Sequence, residues 1–201
     1  MACEGQHDDE QDKRQVFTLS QETRTRLAQR FSATMEILDG ESDRGAAIVG
    51  GALIEVAVDG ALKKYLIPPY SKEDEFLDRD FSVALKIDLA HRVGLIRPKE
   101  RRLLHQIRRI RNDFAHDPNS QRFDDSTIRD RVVNMCELSS DFLAVVVKGL
   151  REAAPLLGEM ASPHAFVESV GARLAFQTVV ALHCAGLEFL YGEIEPLQPL
   201  P

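Results

Sequence analysis

Between Arg44 and Ile67 the chain has almost no polar side. Ile48, Val49, Leu53, Ile54, Val56, Val58, Leu62 and Leu66 point to nearly every angle around a helix instead of lining one stripe. A helix of that kind belongs in the middle of a bundle and is expected to be its most buried helix, because only neighbours on several sides can remove it from water. Gly50-Gly51 and Gly60 lower its helix propensity, so a closely packed neighbour is the expected compensation. Glu55, Asp59 and Lys63 share one line, each four residues from the last. Two readings of that line are open. It is a solvated stripe with an Asp59–Lys63 pair, or Glu55 turns inward to meet a buried arginine.

The candidate arginine is Arg111. Pro98 fits the first turn of a helix, and Leu103, Ile107, Ile110 and Phe114 recur at spacings of four, three and four along one stripe. Pro118 disfavours helical backbone at Asp117, so this helix is predicted over Pro98–His116. Arg111 follows Ile107 by four residues and Leu104 by seven, which puts it on the edge of the apolar stripe. A guanidinium there must be paired or must line a cleft. Glu55 is the leading expected partner, with Asp59 and Asp88 behind it.

Around these two helices the pattern predicts an all-α, single-domain bundle over residues 16–192. Residues 1–15 are acidic and without apolar period, and read as a disordered lead-in. A first helix is predicted from Ser20 to Leu38, and a third over Phe81–Ala90 with Phe81, Leu85 and Leu89 in register and Gly94 as its cap. Asp125 or Ser126 caps a fifth helix that runs through Ile128, Phe142 and Val146, and a last one spans His164–Tyr191. The Pro-rich residues 193–201 read as a loose tail. The 201 residues suit one well-buried core.

A formal net charge of −7 argues against a general polyanion binder, and no basic recognition helix follows a short partner helix. Sequence-specific duplex DNA binding is therefore not expected. Cys3, Cys136 and Cys184 have no metal-ligand spacing and read as reduced thiols. His91, His105, His164 and His183 look isolated, without a carboxylate or thiol at ligand spacing, so no metal is expected. Arg101, Arg102, Arg108 and Arg109 read as a solvated face, since no aromatics interleave with them. No motif calls for a cofactor, and with neither signal peptide nor spanning segment the expected location is cytoplasmic, off the membrane.

Two spaced blocks, Phe81-Ser82 through Lys86-Ile87-Asp88-Leu89-Ala90 with Gly94-Leu95-Ile96, and Ile107 with Ile110-Arg111-Asn112-Asp113-Phe114-Ala115-His116-Asp117, resemble the mannitol operon repressor (MltR) family. The likeness covers roughly residues 46–131. It implies an all-helical regulator of sugar-uptake operons that lacks a DNA-reading motif and works through protein partners. The Arg111-Asn112-x3-His116 spacing also resembles the Arg-x4-His signature of HEPN-type bundles. That second resemblance implies a homodimer and, in its catalytic members, metal-independent RNA cleavage.

On the ribonuclease reading His116 would handle the 2′-hydroxyl proton, Arg111 would stabilise charge on phosphate, and Asn112 would orient either. Glu55 would then hold Arg111 in place. On the binding-module reading Arg111 ties the bundle together through a buried pair, and His116 sits favourably at the helix C-terminus.

Overall fold

The computed structural model describes residues 20–69, 77, 81–116, 122–144 and 162–198. Among these residues the main helices, in order, are α1 Gln21–Asp39, α2 Asp43–Tyr65, α3 Val83–Arg92, α4 Pro98–His116, α5 Ser126–Leu138, α6 Pro163–Val170 and α7 Ala172–Glu193. The described residues contain no strand. The architecture is the expected all-α bundle, while the residues read as a disordered lead-in lie outside those described.

Hydroxyl caps fix several helix starts. The side chains of Ser20, Ser42, Ser82 and Ser162 accept the backbone N–H groups of Thr23, Gly45, Leu85 and Ala165, each satisfying one orphan donor. Gly94, at φ 82, ends α3 and lets Leu95 N–H return to the Ala90 carbonyl.

α7 is the most enclosed helix, with an unbroken buried run from Ala175 to Ala181. It packs on α1 and α2, while α4 lies against an adjoining flank of α2. The expectation that α2 is the most buried helix is corrected: it is enclosed along an inner face, through Ala46, Ala47, Ile54, Ala57, Val58 and Leu62, while Ala52, Val56, Lys63 and Lys64 are exposed. Its paired glycines do serve close packing. A Cβ on Gly50 would come 3.0 Å from a ring carbon of Phe176 on α7, so that ring rests on bare backbone. Phe176 continues into a row of rings through Phe123, at 5.1 Å, to Phe114 of α4, at 4.9 Å, which ties α7 to α4.

Four features differ from the sequence pattern. The final helix is two, because Gly171 at φ 84 turns the chain through 117° between α6 and α7. The fifth helix is interrupted at Ser139, whose buried hydroxyl leaves the helix for His183, and helix resumes over residues 140–144. On α3 the buried row is Lys86, Ile87 and Ala90 instead of Phe81, Leu85 and Leu89, and Leu85 is 49% exposed. The start of the tail is anchored, since Leu197 N–H donates to the Tyr65 carbonyl at 2.8 Å.

Candidate functional site

α4 carries most of the residues singled out in the sequence. Its buried arc of Leu103, Leu104, Ile107, Ile110 and Phe114 turns the remaining positions outward. Arg111 leaves the bundle at the α2 side of that arc. A Cβ on Gly51 would lie 2.6 Å from Cγ and 2.9 Å from Cβ of Arg111, so the arginine stem runs across bare α2 backbone. Its head then reaches water, where Nη1 donates to Asn112 Oδ1 at 3.1 Å. This is snorkelling: the methylenes cover apolar surface and the charge stays wet.

The expected Glu55–Arg111 pair is therefore not formed. Glu55 faces Lys86 of α3 instead, at 3.8 Å. Among the described residues the buried Lys or Arg is Lys86, whose side chain is 8% exposed and whose Nζ meets Asp59 at 2.7 Å. Asp59 also pairs with Lys63 at 2.8 Å, as the simpler reading of that stripe expects. Burial raises the Asp59 carboxyl, but hydrogen bonds from Lys63 and Lys86 outweigh it and hold the group below the usual carboxylate value.

His116 is exposed on the last turn of α4. Five residues of helix separate it from Arg111, so the two side chains leave the axis about 140° apart. Asn112 lies between these directions. Within one chain, then, Arg111 and Asn112 come together and His116 diverges from the arginine. The C-terminal carbonyls of α4 have a different cation, since Arg44 Nη2 donates to Ala115 O at 3.0 Å.

One constellation was not visible in the sequence. Asp88 of α3 accepts Arg101 Nε at 2.6 Å and faces His105 Nε2 at 2.9 Å, both from α4. His105 is thus not isolated. The hydrogen bond to His105 lowers the Asp88 carboxyl, partial burial opposes this, and the Arg101 bond lowers it further. Asp88 is 13 and 17 residues from its two partners, so no local spacing announces the contact.

His183 is likewise partnered, by buried Ser139 at 2.9 Å and by the ring of Phe142, edge-on at 5.0 Å. Burial pushes its imidazole down to about 4 despite nearby Glu100, with Arg97 acting in the same direction as burial. A serine–histidine contact invites a nucleophilic reading, but Ser139 is 1% exposed and no substrate can reach it. Burial also pushes the Cys136 and Cys184 thiols up to about 12, which keeps them unreactive.

Among the described residues no cluster of His, Cys, Asp or Glu could hold a metal. The cleft between α1 and α7 has a volume of about 100 Å³ and is crossed by the Arg30–Glu188 pair at 2.7 Å. It is too small for a drug-sized ligand. Of the described helices, α2 is long and apolar enough to cross a membrane, yet 44% of its apolar window is buried inside the bundle.

No family model, no curated protein and no solved structure matches the chain.

Proposed function

We propose that the protein is a non-catalytic, cytoplasmic regulatory module of the mannitol-repressor kind, working through protein contacts as a homodimer. One observation carries this reading: ahead of the Asp59–Lys63 pair, the outward face of α2 exposes apolar side chains. Val56 is 65% exposed, Ala52 is exposed, and Ile48, Val49, Leu53 and Gly60 are half-buried around them. A contiguous exposed apolar patch on a helix marks a contact site.

The row is also self-complementary. Glu41 lies over Gly45 at its N-terminal end, Lys63 stands on the same side at its C-terminal end, and Ala52 falls midway. An antiparallel crossing of two copies sets Glu41 against Lys63 twice and lets the small Ala52 residues approach. Sedimentation should show a dimer at micromolar concentration, and Val56→Glu, a change at a solvent-facing position, should give a folded monomer. A monomeric wild type would overturn this reading.

A second reading has support of its own. Arg111 and His116 are both exposed, so both are accessible to an RNA strand. If they cleave, single-stranded RNA is cut in EDTA and His116→Ala abolishes cutting, since a proton-transfer group supplies ~10²–10⁴-fold of rate. On the regulatory reading wild type and His116→Ala are equally inert toward RNA. Neither reading expects an operator-specific complex in a gel shift near physiological salt.

A further inference from the structure

The outward face of α4 collects cations that its own acids do not neutralise. The helix holds six Lys and Arg against Glu100 and Asp113, in a chain whose net charge is −7. Both acids are turned elsewhere. Glu100 pairs with Arg97 at 3.0 Å, and Asp113 pairs with Arg131 of α5 at 2.9 Å. Lys99 is taken by Asp141 at 3.0 Å. What remains outward is a doublet repeated after seven residues, Arg101-Arg102 and Arg108-Arg109, with His105 between them.

Two features distinguish this face from an ordinary solvated one. Asp88 fixes Arg101 and His105 in place, so part of the face is held in position before anything binds. Arg108 Nε is shut off from water and meets no acceptor among the described residues, so this donor is left without a bond. Among the described residues Arg102 and Arg109 meet no acid either. On neighbouring α3, Leu85 stands 49% exposed one turn from Asp88, which sets an apolar foothold beside the cations.

We infer that the outward face of α4, with Leu85 of α3, takes an acidic helical segment of a partner protein. This rests on the protein-contact reading only in taking a polypeptide as ligand, and it uses a face other than that of α2. The arginine doublets recur about 10.5 Å apart along the axis, the spacing of glutamates at i and i+7 on a second helix. Guanidinium forks pair carboxylates with two parallel bonds. A nucleic acid is the poorer occupant. Among the described residues no large exposed apolar side chain is an aromatic on which bases could stack, and the acidic remainder of the molecule repels a long polyanion.

The test uses the full chain and a fluorescein-labelled helical peptide with glutamates at i and i+7 and leucines beside them. A peptide with lysine for glutamate and a single-stranded RNA oligonucleotide complete the set. The glutamate peptide should bind at micromolar Kd and weaken at least about tenfold in the double variant Arg102→Glu/Arg109→Glu. Leu85→Ser should weaken it less, and the lysine peptide should not bind. Wild-type protein that ignores the glutamate peptide, or binds RNA more tightly, overturns the inference. So does a double variant that is folded by circular dichroism and binds unchanged. Val56→Glu keeps the two claims apart: it should dissolve the dimer and leave peptide binding intact. Loss of the dimer claim with peptide binding retained would fall on the α2 face alone.

Discussion

Lys86 and Arg111 occupy matching places on their helices, each a cation at the edge of an apolar arc, and the bundle treats them oppositely. Lys86 is enclosed between α3 and α2, and its ammonium is held by Asp59 at 2.7 Å with Glu55 at 3.8 Å. Arg111 crosses α2 at Gly51, where no side chain stands in its way, and its charge comes out into water on Asn112. The difference lies less in the cations than in what the facing helix offers: a carboxylate opposite one, bare backbone opposite the other. An edge-of-stripe cation therefore has two fates, and the residue across from it decides between them.

The largest effect should follow from removing the acid under Lys86. Asp59→Ala leaves a buried ammonium with only the longer Glu55 contact, so unfolding in urea should show a loss of about 3 kcal/mol, near the low end for a broken buried pair. If Asp59→Ala unfolds no more easily than wild type, Lys86 is wetter than its surroundings imply.

The next effect is a pH dependence that belongs to the enclosed side of the molecule. His183 has a folded value of about 4 against an ordinary 6.5. The unfolded chain takes up the proton first, so this contribution is complete above about pH 6.5 and is lost as pH falls toward 4. It amounts to roughly 3 kcal/mol. Asp59 and Asp88, both held below 3.8, add loss in the same direction at still lower pH. Replacing His183 with Gln should flatten the profile between pH 6.5 and 4, although the variant starts from a lower stability. A profile as steep as wild type would assign the dependence to another group.

The same contrast explains what could be read from the chain and what could not. The bounds of α4, the capping serine of α1, the cap at Gly94 and the closely packed glycines of α2 follow from local chemistry and appear in the sequence. The break at Gly171 is a lone glycine inside an unbroken apolar period, and only its positive φ marks it as a corner. At Ser139 the hydroxyl meets His183, a residue 44 positions away, and no local spacing shows that contact. For Lys86 a signal was present: it falls on one arc with Val83, Ile87 and Ala90, and the reasoning applied to Arg111 applied there equally. Partner choice was out of reach, because Glu55, Asp59 and Asp88 acquire their partners only when α2, α3 and α4 are set side by side.

The smallest effect is the most direct measurement of that contrast. Unfolding free energies of Arg111→Ala and Asp59→Ala, determined by urea titration in one buffer, compare the exposed cation with the enclosed pair. Arg111→Ala should cost less than about 1 kcal/mol, the packing of its stem on Gly51 and little else. A loss of about 3 kcal/mol or more, equal to or above that of Asp59→Ala, would show Arg111 to be a buried structural tie and would contradict the placement of its charge at the surface.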